Sequence, residues 1–127
     1  MGRWQLIDRY PLTIADTGHN VAGIKEITQQ LEETDFNTLH FVLSVVNDKD
    51  IDGILELLPK YARYYFCKAN IPRGLSVDIL AEKAAKAGLK GEAYSSVTEA
   101  YQAARHNANL DDMIFIGGSN FTVAEVV

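Results

Sequence analysis

Short apolar runs alternate along the chain with longer segments in which apolar residues recur every three or four positions. The run "LHFVLSVV" at residues 39–46 is apolar at nearly every position, which is typical of a strand buried on both faces. Residues 21–33 instead carry apolar side chains at helical spacing and predict a helix. Those side chains are Val21, Ile24, Ile27 and Leu31.

The same two patterns predict strands and helices along the whole chain. The strands are predicted at residues 3–7, 11–16, 39–46, 63–69, 91–94 and 112–118, with a turn at residues 9–11. The helices are predicted at residues 21–33, 51–58, 76–87, 95–107 and just after residue 119. The expected N-caps are Asp48 or Asp50, then Ser76, then Ser95 or Ser96.

Strands that alternate with helices form a mostly parallel sheet covered on both faces. We therefore expect an α/β fold, a Rossmann-like three-layer sandwich of about six strands with an antiparallel first strand, in a single domain of residues 1–127. Ligands in open sheets of this kind bind beyond the carboxyl ends of the strands. The polar and glycine-rich segments expected at that edge are residues 16–20, 47–49, 68–73, 94–96 and 117–120.

Composition excludes several classes of partner. The 127 residues carry a net charge of −5, and no basic cluster interleaves with aromatic residues, so nucleic acid is not expected. No apolar run approaches the roughly 20 residues that cross a bilayer, so no membrane is expected. Cys67 is the only cysteine, which excludes an internal disulfide and favours a cytoplasmic location. The abrupt first strand is typical of an excised domain, and a small complete protein could begin in the same way.

The segment "IADTGHNVAGIKEI" at residues 14–27 places Asp16 and His19 between a predicted strand and a predicted helix. A carboxylate at the end of a strand can accept hydrogen bonds from ribose hydroxyls or hold a water on a metal; a helix cap or turn is an equally good interpretation. An imidazole at the start of a helix can join free backbone N–H groups in binding an anion. A lone loop histidine is more often bonded to a local carbonyl, so both alternatives stay open.

The segment "FIGGSNF" at residues 115–121 is a second candidate site. Paired glycines let the backbone approach a ligand closely, and Ser119 adds a hydroxyl that could hold a carboxylate or phosphate. Arg73 in "NIPRGLS" could pair with a carboxylate, whereas Lys49 and Arg3 could face phosphate. For each of these positions, a tight turn or a solvated side chain is the commoner alternative.

Several kinds of catalytic machinery are missing from the sequence. It contains neither a G-x-x-x-x-G-K-[ST] loop nor a G-x-G-x-x-G motif. No metal-ligand spacing links His19, His40 and His106, so no metal site is expected in this chain. On its residues alone, the chain is predicted to be a binding domain or one part of an enzyme.

The order of five segments resembles the C-terminal domain of folylpolyglutamate synthase/dihydrofolate synthase, a branch of the Mur ligase superfamily. These segments are "GRWQLI", "IADTGHN", "LSVVNDKDIDGILELL", "ANIPRGLSVDILAEKA" and "FIGGSNFTVAEV". The resemblance covers nearly the whole chain and includes Asp16, His19 and Asn20. Two positions depart from the family pattern: Gly18 replaces the usual alanine, and Val21 replaces the usual proline.

The resemblance implies an activity that the residues alone do not. In this family ATP phosphorylates the carboxylate of a folate or dihydropteroate, and the amine of L-glutamate attacks the acyl phosphate. The P-loop and the Mg²⁺ ligands belong to a preceding ATPase domain in the same polypeptide, which would be the partner of this domain. The isolated domain is then expected to be inactive and monomeric.

The resemblance also implies roles for individual residues. Asp16 and His19 would be the catalytic pair, with Asp16 on the ribose or adenine side of ATP and His19 on the triphosphate side. The other expected nucleotide contacts are Asn20, Arg3 and Lys49. Ser119, together with Arg73, would hold the glutamate carboxylate.

Two other interpretations share the predicted fold. A receiver-like signalling module fits the length and acidity, but Asp16 lacks the acidic neighbour that such a module needs. A Mur ligase of cell-wall synthesis would share the domain and differ in its substrate. The segments "NDKDIDGILELL" and "SNFTVAEV" resemble the folate branch more than the wall branch.

Overall fold

The computed structural model describes residues 3–47, 50–118 and 120–125, which form one six-stranded sheet and five helices. The strands are β1 (Gln5–Arg9), β2 (Leu12–Ala15), β3 (Leu39–Leu43), β4 (Arg63–Phe66), β5 (Lys90–Ala93) and β6 (Met113–Gly117). The helices are α1 (Val21–Glu32), α2 (Ile51–Leu57), α3 (Val77–Lys86), α4 (Val97–Asn107) and α5 (Asn120–Ala124).

The sheet has the strand order β1-β2-β6-β3-β4-β5, and only β1 is antiparallel to its neighbour. Strands β3 and β6 lie at the centre and are buried along their whole length. Helices cover both faces of β3, so none of its side chains faces solvent. This burial explains the continuous apolar run that predicts β3. The predicted α/β class, with an antiparallel first strand, is confirmed.

Two apolar cores lie on opposite faces of the sheet. One core joins the sheet to α1, α2 and α3, and its buried residues include Ile27, Leu55 and Leu80. The other joins the sheet to α4 and α5 and includes Ala100 and Val123. These cores make three layers, as predicted. No helix among the described residues is long and apolar enough to cross a membrane.

The helix ends only partly follow the predicted caps. Asn20 and Ser96 cap α1 and α4, because their side chains accept hydrogen bonds from the N–H groups of Gly23 and Glu99. Ser76 precedes α3 and Asp50 precedes α2, but neither side chain makes a capping hydrogen bond. Asp50 and Ser76 therefore occupy the predicted N-cap positions but do not cap their helices with a side-chain hydrogen bond.

The first strand begins later than predicted. Trp4 has a φ of 46°, a left-handed conformation that a residue with a side chain rarely adopts. This turn ends the extended backbone, so β1 starts at Gln5 rather than at residue 3. The strand then pairs with β2 through the register Gln5↔Ala15 and Leu6↔Ile14.

A buried polar cluster joins the amino ends of β3, β4 and β6, at the edge opposite the predicted ligand edge. His40 lies with Nδ1 2.7 Å from the Tyr65 hydroxyl and Nε2 3.0 Å from Asp112 Oδ2. The Asp112 carboxylate also accepts hydrogen bonds from the N–H groups of Asn109 and Thr38. Burial works to raise the pKa of Asp112, but the hydrogen bonds from Asn109, His40 and Thr38 outweigh burial and lower it. The cluster is a satisfied structural element.

Candidate functional site

The loops that follow the parallel strands meet at one edge of the sheet and are joined by backbone hydrogen bonds. The N–H of Asp16 donates to the Ile116 carbonyl at 3.1 Å, which ties the loop after β2 to β6. The N–H of Asn47 donates to the Arg73 carbonyl at 2.7 Å, which ties the segment after β3 to the loop after β4. The edge predicted from the sequence therefore exists as a connected surface, and its fixed backbone can position side chains.

Asp16 lies directly after β2 and is only 1% exposed. Its Oδ1 accepts hydrogen bonds from Arg3 Nε at 2.7 Å and from the Gly18 N–H at 2.8 Å. Its Oδ2 accepts a hydrogen bond from the Trp4 N–H at 3.0 Å. The carboxylate thus has three donors from within the chain and joins the segment before β1 to the turn before α1. The predicted contact between Asp16 and a ribose or adenine stays a prediction.

Arg3 lies above Asp16 with its side chain 46% exposed. Its Nη2 lies 3.4 Å from Glu26 Oε1 on α1, a longer contact than the pair with Asp16. Partial burial works to lower the pKa of Arg3, but Asp16 and Glu26 outweigh it and raise the pKa above its ordinary value. The Nε side of the guanidinium is therefore held by a buried carboxylate, and the half-exposed remainder faces solvent and the exposed carboxylate of Glu26.

His19 and Asn20 lie at the amino end of α1, and both are exposed. His19 Nδ1 lies 3.3 Å from the Thr17 carbonyl oxygen, the local contact expected of a loop histidine. Asn20 Oδ1 accepts a hydrogen bond from the Gly23 N–H at 2.8 Å and begins the helix. The first turn of α1 contains no acidic residue, so its backbone dipoles face no competing negative charge from within that turn.

Two neighbouring cavities surround Arg3. One, of about 330 Å³, is lined by Arg3, His19 and the first turn of α1. The other, of about 590 Å³, is lined by Arg3, Trp4 and Asp16 on one side and by Glu26 and Gln29 on the other. A guanidinium and a helix N-terminus that share one cavity provide the two kinds of donor that bind phosphate groups.

Arg73 lies away from this group. The loops after β2 and β4 are separated by β6 and β3, which is three strand spacings or about 14 Å. Arg73 is exposed, and its loop is held by backbone contacts rather than by its side chain. The structure therefore brings together Arg3, Asp16, His19 and Asn20, and Arg73 belongs to another part of the same edge.

The "GGS" turn after β6 is only partly described. Gly118 has a φ of 107°, and a Cβ there would lie 1.9 Å from the Ser44 carbonyl oxygen. This position therefore requires glycine for both conformation and space. Ser119 and Lys49, the predicted glutamate-binding and phosphate-facing residues, lie outside the described residues.

The internal partners of Arg3, Asp16 and Glu26, are not predicted by the sequence. The first depends on the hairpin register, which shifts between Leu6 and Asp8, so counting back from the turn does not predict it. Near its open end the hairpin pairs residues whose numbers sum to 20, such as Gln5↔Ala15, and this register places Trp4 beside Asp16. The contact with Glu26 depends on how α1 packs on the sheet, and no local pattern announces it. Among the residues that the structure describes, no three metal-ligating side chains cluster together.

Comparison with known proteins agrees with this architecture. Residues 2–120 match the family model described as Mur ligase, glutamate ligase domain. A probable bifunctional folylpolyglutamate synthase/dihydropteroate synthase of Haloferax volcanii is 32% identical over 125 residues, 98% of this chain and 15% of that protein. The dihydrofolate synthase/folylpolyglutamate synthase of Escherichia coli is 30% identical over 128 residues, 99% of this chain and 29% of that protein.

Solved structures of similar proteins share the fold of this chain. Escherichia coli FolC in complex with DHPP and ADP has a TM-score of 0.89 at 29% identity, covering 98% of this chain and 30% of that one. A bifunctional folylpolyglutamate synthase/dihydrofolate synthase with Mn, AMPPNP and L-glutamate bound has a TM-score of 0.86 at 28% identity, covering the same shares. The chain spans less than a third of the length of these relatives.

Proposed function

Because the chain belongs to the Mur ligase, glutamate ligase domain family, we propose that it is the C-terminal domain of an ATP-dependent ligase that joins L-glutamate to a folate or dihydropteroate. The relatives named folylpolyglutamate synthase/dihydrofolate synthase support this substrate class. The observation that carries the proposal is the shared cavity in which Arg3 faces the open amino end of α1.

In the proposed reaction the substrate carboxylate attacks the terminal phosphorus of ATP, and ADP leaves with the electron pair of the broken bond. The glutamate amine then attacks the acyl carbon, phosphate leaves, and the nitrogen loses a proton. The contribution of this chain is to hold phosphate charge. Arg3 offers its Nη groups, α1 offers backbone N–H groups, and His19 lies beside both.

Asp16 supports this arrangement from beneath. Since its carboxylate accepts from Arg3 Nε, Asp16 fixes the guanidinium without using either Nη nitrogen, of which Nη2 makes the longer contact with Glu26. We propose that Asp16 positions Arg3. Its contact with the ribose or adenine of ATP is a second, separate prediction. Asn20 keeps the amino end of α1 in place by capping it.

The remaining parts of the reaction belong elsewhere. The described residues contain no carboxylate cluster for Mg²⁺, so no step is assigned to a metal in this chain. We propose that a preceding ATPase domain in the same polypeptide supplies the P-loop and the Mg²⁺ ligands, with Lys49 reaching the nucleotide from this chain. Ser119 and Arg73 are proposed to hold the glutamate carboxylate. A cytoplasmic, monomeric enzyme stays a prediction.

The first experiment identifies the natural polypeptide with an antibody raised against this chain, purifies it, and measures incorporation of labelled L-glutamate into a folate substrate. A polypeptide well above 14.1 kDa that needs ATP and folate for incorporation is the expected result. Incorporation into a cell-wall precursor instead would assign the enzyme to the other branch. Absence of any ATP-dependent incorporation would overturn the proposal.

The nucleotide contacts are tested on the chain itself. We expect tripolyphosphate, titrated while the amide signals are followed by NMR, to shift the signals of residues 17–23. Arg3→Ala should weaken this binding about 10- to 100-fold, because a charged hydrogen bond contributes about 1.5 to 3 kcal/mol and about 1.4 kcal/mol is a factor of ten. Arg63→Ala removes an exposed arginine at the opposite edge and should leave the affinity unchanged. Equal affinities for wild type and Arg3→Ala would remove Arg3 from the site.

A further inference from the structure

Arg3 has carboxylates on two sides, and the two contacts differ in kind. Asp16 is buried and holds Nε at 2.7 Å, whereas Glu26 is 67% exposed and lies 3.4 Å from Nη2. The first contact fixes the Nε side of the guanidinium. The second occupies Nη2, and both Arg3 and Glu26 line the two cavities beside α1.

An anion that enters this cavity meets Glu26 as a competitor. The Nε donor of Arg3 is already committed to Asp16, so a phosphate group must bind through the Nη nitrogens. Glu26 contacts one of these nitrogens and lines both cavities next to Arg3. Its negative charge therefore opposes the anion twice, by occupying a donor and by repulsion.

We propose that Glu26 is a positioning residue that holds Arg3 over α1 when no anion is bound and sets the affinity for phosphate by competing for Arg3 Nη2. The proposal rests on the proposed phosphate-binding role of Arg3. Because Glu26 is largely exposed, its carboxylate can move into water when phosphate arrives, so the competition is modest and reversible. Such a residue limits how tightly phosphate is held and favours its release.

The test compares two substitutions that remove the same charge, one within α1 at Glu26 and one at its C-cap, Glu33. Glu26→Gln should tighten binding of tripolyphosphate about two- to fivefold at 0.1 M salt, the range expected for an exposed ion pair. Glu33→Gln is the matched control, because Glu33 lines the larger cavity but lies two helical turns, about 10 Å, from Glu26. It should change the affinity less than Glu26→Gln does, because the ion-pair partners of Arg3 are Asp16 and Glu26, and salt partly screens a charge about 10 Å away.

Two further measurements show that Glu26 acts through Arg3. In the Arg3→Ala background, Glu26→Gln should change tripolyphosphate affinity less than it does in wild type, because the shared donor is absent. Adenosine, which carries no phosphate, should bind both Glu26 forms equally. In the Glu26→Gln spectrum the Arg3 Nε–H signal should stay, since Asp16 still holds it.

The outcomes separate this inference from the function on which it rests. If Arg3→Ala leaves phosphate binding intact, the role of Arg3 itself is wrong and Glu26 has nothing to compete for. If Arg3→Ala weakens binding but Glu26→Gln does not strengthen it, only the competition is wrong. If Glu26→Gln and Glu33→Gln strengthened tripolyphosphate binding equally, the loss of one negative charge would explain both effects. That result would also overturn the proposal.

Discussion

Replacing Asp16 by alanine should destabilise the domain, because the carboxylate is the common acceptor for three donors. The substitution leaves the N–H of Gly18 buried without its partner and the N–H of Trp4 partly buried without its partner. It also removes the ion pair with Arg3, whose half-exposed side chain can turn to water. The perturbation therefore acts on the hairpin and on the turn before α1 together.

The magnitude follows from these three contacts. An orphaned buried donor costs about 1 to 3 kcal/mol, and a partly exposed ion pair contributes about 0 to 1 kcal/mol. We expect Asp16→Ala to lower the free energy of unfolding by about 2 to 4 kcal/mol. Asp16→Asn should cost about 1 to 2 kcal/mol, because the amide keeps one acceptor oxygen but turns its NH₂ group toward a donor.

Urea unfolding followed by circular dichroism measures both variants against wild type. Asp111→Ala is the control, because Asp111 is an exposed aspartate near the opposite edge of the sheet and should change the free energy by less than about 0.5 kcal/mol. A change of less than about 0.5 kcal/mol for Asp16→Ala would contradict the prediction, because the three hydrogen bonds to the carboxylate would then contribute no measurable stability. A loss confined to tripolyphosphate affinity, with stability unchanged, would instead show that Asp16 acts by holding Arg3, because a carboxylate repels the anion itself.

Three further predictions concern other parts of the chain. Gly118→Ala should cost about 3 kcal/mol or more in unfolding free energy, because its Cβ would clash with the Ser44 carbonyl oxygen. Gly88→Ala, also at positive φ, should cost only about 1 to 2 kcal/mol, because its Cβ would meet only the Lys60 side chain at ordinary contact distance; equal losses would contradict the steric explanation. The lowered pKa of Asp112 means that its stabilisation is present above its unfolded pKa, near 3.9, and is lost as pH falls through the lower folded value. Asp112→Asn should therefore lower stability at pH 6 and flatten the loss between pH 4 and pH 3 in urea titrations; parallel curves would contradict this. Burial raises the pKa of Cys67 to about 12, so Ellman's reagent should label it only after unfolding in urea, and rapid labelling of the folded chain would contradict its burial.

Local sequence patterns predicted most of the fold because they depend on short-range physics. The helical spacing from Val21 to Leu31 and the continuous apolar run before Ser44 each follow from which side of an element meets the core. The alternation of these elements then implies a mostly parallel sheet, and the structure confirms it. Caps were less predictable, since Ser76 has the right residue type but makes no capping bond.

The sequence predicts which residues belong to the candidate site better than it predicts how they are arranged. Asp16, His19, Asn20 and Arg3 were all named from the sequence, and the structure places them around adjoining cavities. The sequence alone did not predict that Asp16 would be buried under Arg3, because burial depends on the turn at Trp4 and on the hairpin register.

The sequence by itself determined the order of strands and helices, the apolar faces that form the two cores, and the polar residues at the carboxyl ends of the strands. Those features are encoded locally, in spacing and residue type. Only the tertiary structure decided which polar residues meet. Arg3 contacts Asp16 thirteen positions away and Glu26 twenty-three positions away, while Arg73 lies three strands apart. The contact with Asp16 depends on the hairpin register, the contact with Glu26 on helix packing, and the position of Arg73 on strand order, none of which a local pattern contains.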